Sequence, residues 1–120
     1  MISTRAVKEA FGRLSSTVRT VAIVGSEEPP PGNEFDAMAA DLERSWDAVV
    51  SGRPVSEAVK VVKAGWVAGS LDRSGLISVV PPILIDREVL GGVLSDLSGD
   101  HWIDPIEAVI ASGGKVGIRS

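Results

Sequence analysis

Asp96, Asp100, His101 and Asp104 form the densest polar cluster in this sequence. A histidine among carboxylates is the pattern that binds a divalent cation or runs an acid/base pair. His101 is the only histidine in the chain, so any histidine-dependent triad must use it. Ordinary architecture explains the same residues one at a time. Asp104 stands before Pro105 as a helix cap, Asp100 ends a Ser-Gly-Asp turn, and Asp96 falls on the solvent side of a helix. The four are therefore candidate metal or ligand residues, while no catalytic residue and no resident metal are expected.

Three other places match chemical motifs in part. Ser112-Gly113-Gly114-Lys115 has the serine–lysine spacing of some acyl-transfer enzymes, in which the serine opens a helix and the lysine returns one turn later. Here Ser112 closes a predicted helix and two glycines break the turn, so a plain C-terminal stop is expected. The apolar run from Val18 to Val24 ends at Gly25-Ser26, as a nucleotide-binding strand and turn would. The next stretch of chain holds Glu27, Glu28, Glu34 and Asp36 with Pro29, Pro30 and Pro31, which repel an anion and remove backbone donors. Neither G-x-G-x-x-G nor G-x-x-x-x-G-K-[ST] occurs. Asp72 and Arg73, in Leu71-Asp72-Arg73-Ser74-Gly75, could make a binding loop, but a turn with an internal charge pair is the expected reading. No cofactor is expected.

The chain of 120 residues is 44% hydrophobic and 23% charged, which excludes disorder and fits one domain over 1–120. Such a chain exposes roughly 6,000 Å² when folded against roughly 18,000 Å² unfolded, enough burial for a core without staples. With three Trp, two Phe and no Tyr, that core must come from Val, Ile, Leu and Ala. The absence of cysteine excludes disulfides, a thiolate nucleophile and thiolate-held zinc. Net charge is −4, and the nearest thing to a basic face is Arg5, Lys8, Arg13 and Arg19, so no nucleic-acid partner is expected. No apolar run approaches the ~20 residues of a membrane span, and charges precede the first apolar stretch. The expected location is cytoplasmic or virion-associated, without membrane contact.

The elements that must position these residues can be read from periodicity. Ser3 or Thr4 caps a first helix carrying Ala6, Val7, Ala10, Phe11 and Leu14. Val18–Val24 is β-branched and reads as a strand. Phe35, Met38, Ala39, Leu42, Trp46, Val49 and Val50 recur at three- and four-residue steps, predicting a long helix from Asn33 that Gly52 stops. A further helix is predicted from about Pro54 to Ala64, with Val55, Ala58, Val59 and Val62 inward. Trp66–Val80 reads as a hairpin turning at Asp72–Gly75, with Pro81-Pro82 stopping its second strand. Ile83-Leu84-Ile85 has no clear state. Asp86 caps a helix carrying Val89, Leu90, Val93, Leu94 and Leu97. Asp104-Pro105 opens another with Ile106, Val109 and Ile110, and Lys115–Ile118 adds a last strand. This order predicts an α+β fold, a small mixed or mostly antiparallel sheet of about three or four strands with helices packed on it.

With chemistry assigned to caps and turns, assembly is the expected role. Mean hydropathy is +0.22, high for a small domain, and surplus apolar surface normally ends in a subunit interface. Pro30, Pro31, Pro81 and Pro82 sit in stiff segments suited to an interface, and Trp102 is an aromatic in a polar connection that can anchor a partner. Trp46 and Trp66 are expected in the core. The reading is a non-catalytic structural or interaction subunit forming a homo-oligomer, such as a small virion (head–tail or tail) or shell component. The alternatives are a small enzyme or metal/ligand-binding domain using the Asp96–Asp104 region, and an adaptor or inhibitor of another protein.

Overall fold

Ile83, Leu84 and Ile85 lie at the centre of the molecule, on a strand of ten residues, β6 (Ile77–Asp86). The computed structural model describes residues 2–24 and 32–119. Around β6 the described chain runs β1 (Ile2–Ser3), α1 (Thr4–Gly12), β2 (Thr20–Ile23), α2 (Gly32–Ser45), β3 (Ala48–Pro54), β4 (Lys60–Lys63) and β5 (Trp66–Ser70). After β6 come α3 (Arg87–Ser95), β7 (Trp102–Ile103), α4 (Pro105–Ala111) and β8 (Val116–Arg119). The main sheet has the order β2-β6-β3-β8, with β6 antiparallel to both neighbours and β8 parallel to β3. Helices cover it on both faces. This is the expected α+β fold with a mixed four-stranded sheet.

Strand alternation sorts the core into two layers. Ile85 and Ala48 pack with Leu90, Val93 and Leu94 of α3 and Val109 of α4, and Val7 and Phe11 of α1 join from the rim. On the opposite face Leu84 and Val49 pack with Met38 and Leu42 of α2. A strand covered on both sides reads as an unbroken apolar run, which is why 83–85 carries no period of its own.

Several expectations fail for related reasons. Trp46, Val49 and Val50 continue the apolar stripe of α2, yet the helix stops at Ser45 and Ala48–Val50 is a buried strand. The stop is tertiary: Asp47 N–H donates to Lys115 O at 2.9 Å, and Lys115 N–H donates to the Asp47 carboxylate at 2.8 Å. Trp46 is 40% exposed and lays its ring over Gly117, where an added Cβ would meet the indole at 2.8 Å. The helix expected over 54–64 is absent. Lys60–Lys63 pairs instead with Trp66–Ser70, turning at Ala64 (φ 49°) and Gly65 (φ 84°). Two left-handed residues in succession are what a tight hairpin turn needs. Asp72–Gly75 therefore connects β5 to β6 without forming a hairpin. Pro81-Pro82 does not stop the strand either, since β6 runs through both to Asp86.

Three of the expected caps hold, whereas Asn33, the expected start of the long helix, lies one residue inside α2. Ser3 accepts from Ala6 N–H, Asp86 from Glu88 and Val89 N–H, and Asp104 from Ile106 and Glu107 N–H. Gly91 in α3 lies where a Cβ would approach the Phe11 ring at 3.2 Å, so its lack of a side chain lets α1 and α3 close together. Gly117 plays the same part under Trp46. We expect Gly117→Ala to destabilise the fold by about 1–3 kcal/mol through overpacking, read as a lower urea midpoint with an unchanged slope.

Candidate functional site

The cluster Asp96, Asp100, His101 and Asp104 is not brought together as one site. Asp96 is the C-cap of α3 and is exposed. Asp104 is spent capping α4. Asp100 faces the start of α1, accepting from Ser3 Oγ at 3.0 Å and Arg5 N–H at 3.3 Å, with the Arg5 guanidinium at 3.8 Å. His101 contributes its backbone: its N–H donates to Thr4 Oγ1 at 2.9 Å, and its carbonyl accepts from Thr4 N–H and from the Thr4 hydroxyl, both at 3.0 Å. Thr4 is wholly buried and clamps β1 against β7. Among the described residues, no three His, Cys, Asp or Glu side chains form a group able to hold a metal ion.

Of the residues proposed for an interface, Pro30 and Pro31 lie outside the described residues. Pro81 is exposed, whereas Pro82 is fully buried within β6. Trp102 is 67% exposed on β7. Ser112 closes α4 with its hydroxyl on Val109 O at 2.7 Å, and Gly113 comes next at φ 89°, so Ser112–Lys115 is the helix stop its glycines predict.

Two concavities appear among the described residues. The larger, about 530 Å³, is an apolar groove between α1 and β2 walled by Phe11, Leu14, Val21, Ile23 and Trp102. Arg87 braces its end by donating to Ser15 O and Val18 O, with its guanidinium over the Phe11 ring. The smaller, about 320 Å³, is rimmed by Asp47, Glu88, Asp96 and Ser112. Its carboxylates repel phosphate.

The third feature is the hairpin β4–β5, which stands clear of the sheet. Val62, Trp66 and Val67 are 64%, 62% and 58% exposed, so Trp66 is no core residue. At the foot of the hairpin, Arg73 donates to Ser56 O at 2.5 Å and Leu71 N–H to Val59 O at 2.9 Å. These bonds tie 56–59 to 71–73. Asp72 accepts from Ser74 N–H at 3.0 Å, and this bond, with a second to the Ser74 hydroxyl, holds its carboxyl below the ordinary aspartate value of 3.8. Arg73 is thus held at the exposed foot of the hairpin, where Lys60 Nζ donates to Ser70 Oγ at 2.7 Å.

Comparison with known proteins gives this geometry a context. No protein-family model matches the sequence. The chain is 31% identical over 112 residues to the bifunctional enzyme IspD/IspF of Clavibacter michiganensis, covering 92% of this chain and 27% of that enzyme. It superposes on 4-diphosphocytidyl-2C-methyl-D-erythritol synthase from Anaerococcus prevotii with a TM-score of 0.80 at 16% identity, covering 97% of this chain and 55% of that one. For 2-C-methyl-D-erythritol 4-phosphate cytidylyltransferase from Thermus thermophilus the TM-score is 0.75 at 17% identity, covering 98% and 58%. The chain thus spans about a quarter of the curated relative and just over half of these solved structures. These likenesses overturn the expectation of a non-catalytic virion or shell subunit, and nothing supports a virion location. Among the described residues no helix is long and apolar enough to cross a membrane. The fold is that of the cytidylyltransferases just named.

Proposed function

We propose that this chain is part of a cytoplasmic cytidylyltransferase-type enzyme acting on a small phosphorylated polyol of the 2-C-methyl-D-erythritol 4-phosphate class. The observation that carries this reading is the 31% identity to the bifunctional enzyme, held over nearly the whole chain and joined to the same fold at a TM-score of 0.80. Cytidylyl transfer forms a bond from an acceptor phosphate oxygen to the α-phosphorus of cytidine triphosphate, and pyrophosphate leaves with the electrons of the broken P–O bond. Two polyanions must meet, so the protein's part is cationic positioning and charge neutralisation. Residues 27–36 are too acidic to serve, and so is the hollow beside Asp96. The foot of the hairpin supplies a fixed cation, Arg73, held in place by Ser56 O.

The acceptor should bind this chain, as read by calorimetry with 2-C-methyl-D-erythritol 4-phosphate. Arg73→Ala should weaken that binding by about 1.5–3 kcal/mol, the worth of a charged hydrogen bond, while thermal stability is held. Binding unaffected by Arg73→Ala would move the phosphate elsewhere. No binding of the acceptor or of cytidine triphosphate would remove the reading.

The hairpin also supports a homo-oligomer. The chain exposes 8151 Å², against about 6,200 Å² for a monomer of its mass. The surplus, about 2,000 Å² on one chain, exceeds the ~800 Å² that each partner gives to an ordinary interface. Light scattering at micromolar concentration should show a multimer that Val62→Asp with Trp66→Asp converts to monomer, and a monomer in the unaltered chain would end this part of the proposal.

A further inference from the structure

Asp72 directly precedes the cation at the hairpin foot, and an exposed carboxylate there looks misplaced. Beside an arginine that is to take a phosphate, a negative charge repels the ligand. The structure shows what engages that charge. Asp72 accepts from Ser74 N–H at 3.0 Å and from the Ser74 hydroxyl, so the carboxylate is tied to the turn that follows it. That turn, Arg73–Gly75, is a single turn of 3-10 helix closed by Leu76 N–H on Arg73 O at 3.0 Å. A turn so short has little stability of its own, and Gly75 adds backbone freedom. The Asp72 cap is therefore a large part of what keeps it closed.

Arg73 is the first residue of that turn, so whatever fixes the turn fixes the base of its side chain. The backbone just before it is anchored by Leu71 N–H on Val59 O at 2.9 Å, and the tip of the side chain by Nη1 on Ser56 O at 2.5 Å. Both anchors belong to the opposite leg of the hairpin. Among the described residues Arg73 makes no ion pair, and its Nε–Nη2 edge has no partner. That is the edge able to grip two phosphate oxygens at once. A loose arginine gives up its rotamer freedom when it binds, whereas this one has given it up in the folded chain, provided the turn stays shut. The Ser74 N–H is already taken by Asp72, so the guanidinium is what this turn offers an anion.

We infer that Asp72 is a positioning residue for acceptor binding: by capping the 73–75 turn through Ser74, it holds Arg73 with its free edge presented to a phosphomonoester. This rests on the reading that Arg73 takes the acceptor phosphate. What the role requires at position 72 is an acceptor oxygen rather than a charge, because asparagine caps as well as aspartate. Removing the charge while keeping the oxygen also removes the repulsion. Asp72→Asn should therefore hold the acceptor at least as well as the unaltered chain does. A carboxylate that itself touched the hydroxyls of the ligand would lose by the same change.

Two measurements on the whole chain separate the outcomes: calorimetry with 2-C-methyl-D-erythritol 4-phosphate, and nitrogen-15 relaxation of the Arg73 Nε–H group without ligand. Asp72→Ala should weaken acceptor binding roughly three- to tenfold, the range covered by ordering one long side chain. It should also loosen Arg73, whose Nε–H order parameter should fall below about 0.6. Asp72→Asn should restore both to at least the unaltered values. Asp72 is exposed in a connection, so neither change touches the core. Acceptor binding or Arg73 order left unchanged by Asp72→Ala would overturn the inference, and so would an Asp72→Asn chain that binds as weakly as Asp72→Ala. Binding lost with Arg73→Ala but kept with Asp72→Ala overturns this inference alone. No binding by the unaltered chain, or binding indifferent to Arg73→Ala, overturns the reading at the hairpin foot and this inference with it.

Discussion

Burial of β6 on both faces is the constraint on which the rest of the molecule depends. Leu84 and Ile85 point to opposite layers and both are all but inaccessible to water, so neither α2 nor the α3–α4 pair can be withdrawn without stranding one side of the same strand. Each fully buried side chain of this size is worth about 1.5–3 kcal/mol. β6 also bridges β2 and β3. The sheet therefore has one keystone strand, and the two helical layers are linked through it.

What the keystone leaves uncovered is where function is sought. Three surfaces lie away from it: the edge of β2 with its apolar groove, the hairpin β4–β5, and the acid-rimmed hollow beside α3 and α4. Their chemistries differ, and that difference sorts their uses. The acidic hollow repels phosphate. The groove has no charge to offer one. The hairpin foot offers Arg73, tied to Ser56 O.

The acid/histidine cluster shows why a site is hard to read from spacing. Asp96, Asp100, His101 and Asp104 are close in sequence, but a helix C-cap, a turn and a helix N-cap lie within that stretch and each sends its side chain elsewhere. Asp100 is drawn to α1 by Ser3 and Arg5, ninety-odd positions away, a pairing no local pattern announces. Conversely, Arg73 is brought to Ser56 O, seventeen positions away, by the way the hairpin folds back. The local signal for that hairpin was Ala64-Gly65, a left-handed pair between two β-branched stretches. Helical spacing of Val55, Ala58, Val59 and Val62 masked it, because a short apolar run fits either period.

By itself the sequence determined whatever depends on neighbours within a turn or two. The caps at Ser3, Asp86 and Asp104, the helix stop at Ser112–Gly114, the apolar stripes of α1, α3 and most of α2, the first and last strands of the main sheet, and the α+β class with a mixed sheet all derive from local hydrogen bonding and periodicity. Tertiary structure alone decided where α2 ends, that Ala48–Val50 and Ile83–Ile85 are paired central strands, that β6 runs through Pro81-Pro82, and which charged groups meet. The physical reason is the same in each case. A buried central strand is chosen by the partners on either side of it and by the helices on its two faces, and those partners lie tens of residues away, where no local spacing can record them.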